Sequence, residues 1–254
     1  MSPFSGLTFN TIQVDEYMIE IIDAYDAIAG DYEDYSLMKN EYLRSVESII
    51  ISEIKGKDGI LDIGTGDGRR FAKLIKALGF KDFMALEPSS EMIELCKKRK
   101  IPVLHAPVSA LCASIDRNFN CILALWNVLG HIANGMERLE ALKQIHAKLD
   151  PDGVFICDIN NRHNINSYGF LRVIGRIIAD YISFSEKRGD ARYIWKINGK
   201  DYQGFGHLFT PNEAEKLFAD AGFEIIARWT VDYETGAVSN NKFRGQLLYK
   251  LKKS

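Results

Sequence analysis

The sequence predicts an α/β domain whose parallel sheet is covered by helices on both faces. Apolar runs of strand type recur after residue 59, at Ile60–Ile63, Phe83–Leu86, Pro102–Leu104, Cys121–Leu125 and Val154–Cys157. Segments with helical apolar spacing lie between them. Strands that are apolar on both sides and alternate with helices belong to a parallel sheet buried on both faces. The length sets the scale, because 254 residues, 46% of them hydrophobic, fill one large domain with a full core.

In chain order, a short polar leader precedes a helical pattern with Met18, Ile22 and Tyr25 on one face. Tyr25, Tyr32 and Tyr35 cluster at a break between two helices, either as aromatic packing at a junction or as a lid over a pocket. Leu43, Val46, Ile50 and Ile54 mark a second amphipathic helix, closed by the Gly56 to Gly59 stretch. Residues 1–58 thus read as a helical lid of the same domain and 59–254 as its core. There the first strand runs into Gly64, Gly66 and Gly68, and a helix follows with Phe71, Leu74, Ile75 and Leu78 inward and Gly79 as its stop. Ser89 caps a helix that turns Met92, Ile93 and Cys96 inward. A helix over Met136–Leu149 buries Leu139, Leu142, Ile145 and Leu149, and Asp150-Pro151-Asp152-Gly153 turns it into the fifth strand.

The alternation stops after Asp158. The stretch from Asn160 to His207, about 160–207, is far longer than an ordinary connection of ~2 to 6 residues. Its first half predicts a helix over Tyr168–Tyr181, with Phe170, Ile174, Ile177 and Tyr181 on one face and Arg172, Arg176 and Asp180 on another, the Arg172 and Arg176 stripe reading as a solvated helix face in preference to an anion site. Its second half predicts a hairpin about Asn198-Gly199. This inserted helix and hairpin form a substrate-facing cap or a dimerisation surface. Thr210 and Glu213 then have capping-box spacing around Pro211, and Ala214, Leu217, Phe218 and Ala221 face inward. Phe223–Val231 and Phe243–Leu251, joined only by a loop, form an antiparallel pair.

The glycine turn carries the chemistry. Glycine lets a ligand lie against the backbone and reaches positive φ without steric cost. A dinucleotide fingerprint, G-x-G-x-x-G, is excluded because Arg69 stands where its third glycine would be. Asp62-Ile63-Gly64-Thr65-Gly66-Asp67-Gly68 instead resembles motif I of the class I S-adenosylmethionine-dependent methyltransferases. Glu87-Pro88-Ser89 matches that family's acidic motif after the second strand, where a carboxylate accepts the ribose hydroxyls. Leu149-Asp150-Pro151-Asp152-Gly153 is similar to its Leu-x-Pro-x-Gly, and Tyr25-Asp26-x-x-Ala29-x-x-Tyr32 to its N-terminal lid.

The resemblance implies a Rossmann-like three-layer sandwich with a seven-stranded, mostly parallel sheet whose last strand is antiparallel. It implies S-adenosyl-L-methionine as cofactor, held by Tyr25, Tyr32, Asp62, Gly64, Thr65, Gly66, Glu87 and Pro88, with the Leu125 backbone at the methionine end. Many relatives carry Gly-Asp-Ala after the third strand. Here that stretch reads Ala106-Pro107-Val108-Ser109, so Ser109 and the backbone near Val108 are the expected adenine contacts. Trp126 and Asn127, at the end of the fourth strand, would face the transferred methyl, and His131 is the candidate general base, although relatives often carry a structural His there. His207 is a second candidate, on the substrate side.

Composition narrows the partners. A net charge of −2 supplies no basic field for nucleic acid or an anionic membrane, so a tRNA-modifying enzyme is the alternative and a small molecule the expected acceptor. A catalytically inactive, cofactor-binding partner subunit is a further alternative. Cys96, Cys112, Cys121 and Cys157 lack paired spacing, which predicts reduced thiols and no metal site. The N-terminus, Met1-Ser2-Pro3-Phe4-Ser5, lacks the marks of a signal peptide, and no apolar run approaches a membrane span, so a cytoplasmic monomer or homodimer is expected.

Overall fold

A computed structural model describes residues 16–254, and the polar leader lies outside the described residues. The N-terminal part folds as helices α1 (Glu16–Ile28), α2 (Tyr32–Leu37) and α3 (Asn40–Glu53), with a single 3₁₀ turn at Ala29–Asp31 between the first two. The expected junction thus contains one more short helix than its spacing suggested. The core alternates β1 (Ile60–Ile63), α4 (Arg69–Leu78), β2 (Phe83–Glu87), α5 (Ser90–Lys98), β3 (Val103–His105), α6 (Leu111–Ser114), β4 (Phe119–Ala124), α7 (Gly135–Lys148) and β5 (Leu149–Ile159). The insertion holds α8 (Ile165–Tyr168), α9 (Phe170–Ile182), β6 (Asp190–Ile197) and β7 (Lys200–His207), and the chain ends with α10 (Pro211–Asp220), β8 (Phe223–Val231), β9 (Val238–Ser239) and β10 (Gln246–Lys253).

The main sheet has the order β3-β2-β1-β4-β5-β10-β8-β9. The first five strands of that order pair in parallel, and β10 is antiparallel to both β5 and β8. The two-residue β9 adds an edge to the seven strands expected. Alternate residues of the central strands enter two separate cores. Leu61, Ile122 and Phe155 pack on one face, and Ile60, Cys121 and Ile156 on the other. The strand order reverses between β1 and β4, which opens a crevice at the carboxyl ends of β1, β2, β4 and β5.

Local chemistry sets the boundaries. Ser89 Oγ caps α5 by accepting the Met92 N–H at 3.1 Å, and Thr210 and Glu213 form the complete capping box of α10. Asn198 and Gly199 take φ of 51° and 76°, the pairing of a two-residue hairpin turn. Asp150 to Gly153 form a bulge inside β5 rather than a turn before it, since Phe119 pairs Leu149 and Cys121 already pairs Val154.

One helix packs the opposite way from its sequence pattern. In α9, Phe170, Ile174 and Tyr181 are exposed and Val173 is buried. Arg176 and Asp180 turn toward the protein, where they bond Arg162 and His163. Apolar spacing reveals a stripe on a helix, but here buried hydrogen-bond partners decide which side faces in. Among the described residues no helix is long and apolar enough to cross a membrane.

The lid is fastened to the core and to the hairpin. Asp26 Oδ1 accepts the Ser89 hydroxyl at 2.5 Å and the Glu91 N–H at 3.0 Å, which ties α1 to the start of α5. Asp31 accepts from Lys200, Tyr202 and Asn198 of the hairpin. A third apolar cluster, with Ile28, Met92, Trp195 and Ile197 at its centre, fills the space between these elements.

Candidate active site

The turn after β1 packs closely against neighbouring side chains. Gly64, Gly66 and Gly68 adopt φ of 63°, 59° and 74°. A Cβ on Gly64 would lie 2.7 Å from Val128 Cγ2, one on Gly68 would lie 2.9 Å from Cys96 Sγ, and one on Gly66 would meet the Tyr32 hydroxyl at 3.3 Å. The spacing of these glycines therefore answers two demands, backbone conformation and close contact with the core at Gly64 and Gly68 and with the lid at Gly66. The Gly66 N–H donates to Glu87 Oε2 at 2.8 Å, and the Ser89 N–H donates to Oε1 at 3.0 Å. Glu87 is 5% exposed, and burial pushes its carboxyl up to about 7 despite these two donors.

Glu87 borders a narrow cavity of about 90 Å³ roofed by α1 and walled by Leu86, Pro88, Ala106, Pro107, Val108 and Ile132. Apolar walls suit a flat base, and a carboxylate at the edge suits vicinal hydroxyls. Arg70 stands beside the adjoining small pocket with Gly64 and Thr65, and its Nη1 is buried without a hydrogen-bond partner. An unpartnered guanidinium suits the carboxylate of an amino-acid tail. These residues fit an adenosyl-sulfonium cofactor on all three counts.

A second cavity, of about 650 Å³, adjoins the first. Tyr25, Tyr32, Trp126 and His131 line both and form the shared wall. Trp126 and Asn127 take φ of 67° and 66°, two successive residues in the left-handed region that side chains disfavour. Asp158, buried at the end of β5, holds them there. One of its oxygens accepts the Trp126 N–H, the other accepts the Tyr42 hydroxyl, and its backbone carbonyl accepts the Asn127 N–H at 3.0 Å. The indole of Trp126 stacks on Tyr35 at 5.2 Å and 8°, and its Nε1 donates to the Tyr233 hydroxyl at 3.0 Å. Asn127 Oδ1 accepts the Asn160 N–H at 2.9 Å, which joins the insertion to the end of β4. His131 Nδ1 lies 3.4 Å from the Tyr25 hydroxyl, and burial pushes the imidazole down to about 4.

Of the residues expected around the cofactor, Tyr25, Tyr32, Gly64, Gly66, Glu87, Pro88, Val108 and Leu125 line the narrow cavity together. Trp126 and His131 stand on the shared wall and Asn127 on the larger cavity. Four residues fall elsewhere. Asp62 is buried in β1 off both cavities, with burial pushing its carboxyl up to about 6, and Thr65 lines only the small pocket with Arg70. Ser109 is exposed, because the 3₁₀ turn Val108–Ala110 directs neighbouring side chains about a third of a turn apart and Val108 takes the inward place. His207 is buried away from both cavities, its Nδ1 2.8 Å from Asp190 and its Nε2 2.8 Å from Glu213, so it fastens β7 to the start of α10 and does not face a substrate.

Sequence reasoning passed over Asp26 and Asp158 as site residues. Asp26 stood within the quoted lid motif, and Asp158 could have been suspected as an acid closing an apolar strand. Arg176 was read with Arg172 as a solvated helix face in preference to an anion site, and of the two it is Arg176 that lines the larger cavity.

Three comparisons bear on this geometry. A family model described as a methyltransferase domain matches residues 37–228. An uncharacterized protein of Methanocaldococcus jannaschii is 28% identical over 91% of this chain and 84% of its own length. The dTDP-3-amino-3,6-dideoxy-alpha-D-glucopyranose N,N-dimethyltransferase of Streptomyces fradiae is 23% identical over 83% of this chain and 86% of its own length. Among solved structures, an S-adenosylmethionine-dependent methyltransferase from Clostridium acetobutylicum shares the fold with a TM-score of 0.60, at 16% identity over 91% of this chain and 98% of that one.

Proposed function

This chain belongs to the methyltransferase-domain family and is an S-adenosylmethionine-dependent methyltransferase of class I, and from that premise we propose that it methylates a small or medium-sized molecule by in-line displacement. The observation that carries this reading is the wall of Tyr25, Tyr32, Trp126 and His131 common to the two cavities. One cavity has the carboxylate and apolar slot that suit the donor. The other has the volume for an acceptor, and the two meet where a methyl can pass. The Streptomyces fradiae relative is named for a nucleotide-linked acceptor, a dTDP-bound dideoxy amino sugar.

Glu87, the glycine turn and Arg70 would hold S-adenosyl-L-methionine, which when bound would supply an electrophilic methyl group. The chain's own contribution is to orient the acceptor and exclude water. Asp158 fixes the backbone of Trp126 and Asn127, and Tyr35 stacks behind the indole, so the floor of the shared wall is rigid. Tyr25, Tyr32 and Trp195 close over it from the lid and hairpin. His131, neutral at physiological pH because of its burial, is a poor general base. In this reading it hydrogen-bonds the accepting atom and so positions the acceptor.

The test is a screen of small-molecule fractions and bulk tRNA with methyl-labelled cofactor, read as label in product together with stoichiometric S-adenosylhomocysteine. The reading expects label in small molecules. Label confined to RNA, or none in any fraction, would overturn it.

A further inference from the structure

Among the described residues, the larger cavity has one cation that no carboxylate pairs. Its charged lining consists of Lys39, Arg176, Asp232 and Glu234. Lys39 Nζ lies 2.6 Å from Glu234, so that pair cancels. Asp232 is taken up by its own turn: Oδ1 accepts the N–H groups of Glu234 and Thr235 and the Thr235 hydroxyl, and Oδ2 accepts the Asn166 amide at 2.7 Å. Arg176 differs from both. Its Nη1 donates to the Arg162 carbonyl at 3.0 Å and its guanidinium lies 4.3 Å over the Tyr168 ring, but among the described residues no carboxylate reaches it within ion-pair distance. The acid one turn further along α9, Asp180, is shared among Arg162, His163 and Arg188 at 3.2 to 3.3 Å.

A guanidinium fixed by one carbonyl and one aromatic face keeps its other N–H donors in a planar fork, the shape that matches a carboxylate or phosphate. Ser167, which lines the same cavity, adds a hydroxyl. We propose, resting on the function assigned above, that Arg176 is the anion-recognition residue of the acceptor cavity, so that the acceptor carries a carboxylate or phosphate held at Arg176 while its nucleophilic atom lies at the Trp126 and His131 wall. A neutral analogue leaves the guanidinium unpaired inside an aromatic-walled cavity, and this is the source of selectivity. The insertion thus supplies more than a cover, since α9 brings the recognition group.

The experiment titrates the full chain, with and without saturating S-adenosylhomocysteine, with acetate, inorganic phosphate, anthranilate and phenyl phosphate, and with the neutral amides of the two carboxylates and the neutral dimethyl ester of phenyl phosphate. Trp126 and Trp195, both on the cavity, report binding by fluorescence. Ionic strength is held constant with chloride. The expected result is binding of the anions in preference to their neutral partners. Arg176→Gln should weaken that binding roughly tenfold or more, as the loss of one charge-assisted pair implies, and Arg176→Lys should retain part of it. Carboxylate and phosphate members separate the two anion chemistries. Near-ultraviolet circular dichroism checks that both variants keep the wild-type fold. Equal binding of anions and neutral partners overturns the proposal, as does anion binding unaffected by Arg176→Gln. Loss of S-adenosylhomocysteine binding with an intact, Arg176-dependent anion site would instead count against the methyltransferase reading alone.

Discussion

Replacing Glu87 by Ala probes the cofactor site most sharply, because its carboxylate has two separable jobs. In the free protein it straps the Gly66 and Ser89 N–H groups at 2.8 and 3.0 Å. In the proposed complex with the donor it accepts the ribose hydroxyls, and hydrogen bonds to a charged acceptor contribute about 1.5 to 3 kcal/mol. Loss of that contribution weakens binding roughly ten- to 150-fold. The pH dependence follows from burial. Glu87 stands at about 7 in the free protein, and the ribose hydroxyls are best accepted by the ionised form. Protonation therefore competes with binding, and affinity falls roughly tenfold between pH 8 and pH 6. Glu87→Ala removes that dependence. Calorimetric titration with S-adenosylhomocysteine at pH 6, 7 and 8 measures both effects. A dissociation constant within twofold of wild type, or a wild-type affinity that is flat across that range, would refute the role given to Glu87.

Three further outcomes are expected. Burial holds His131 at about 4, below its ordinary 6.5, so its contribution to stability is present above pH 6.5 and is lost as pH falls through 4, to a total of about 3 kcal/mol. His131→Gln should flatten the acid side of a melting-temperature profile, and an unchanged profile would remove the imidazole from that account. Asp158→Ala removes the side-chain acceptor of the Trp126 N–H and loosens the strained Trp126 backbone, so turnover should fall roughly tenfold or more while cofactor affinity holds within threefold, with a changed near-ultraviolet tryptophan spectrum. Equal turnover with an unchanged spectrum would count against it. His207→Ala strands Glu213 and should cost about 2 to 4 kcal/mol in denaturant titration, yet leave the acceptor KM within threefold. A raised KM at unchanged stability would return His207 to the substrate site.

The parts of the site that were legible in the sequence are those built from neighbours along the chain. Glycine spacing, the acid closing β2 and the tyrosines of the lid are local patterns whose physics is local, and they line one cavity. The helix boundaries followed for the same reason, since Ser89 and the Thr210 capping box act within one turn. What escaped depends on partners distant in sequence. His207 has the residue type of a substrate contact, but Asp190 and Glu213 occupy both ring nitrogens. The apolar stripe of α9 suggested the wrong inward face because Arg162 and His163, which draw Arg176 and Asp180 inward, lie on another element. Asp158 has a role only because β5 ends beside β4, a neighbour relation that exists once the sheet is assembled.

The central claim is that the donor and acceptor cavities meet at one wall. A crystal structure of the complex with S-adenosylhomocysteine tests it most directly. The account predicts the ribose on Glu87, the base between Pro88 and Val108, and the sulfur at the wall of Tyr25, Trp126 and His131, open toward Arg176. A ligand bound elsewhere, or one whose sulfur lies away from that wall, would contradict it.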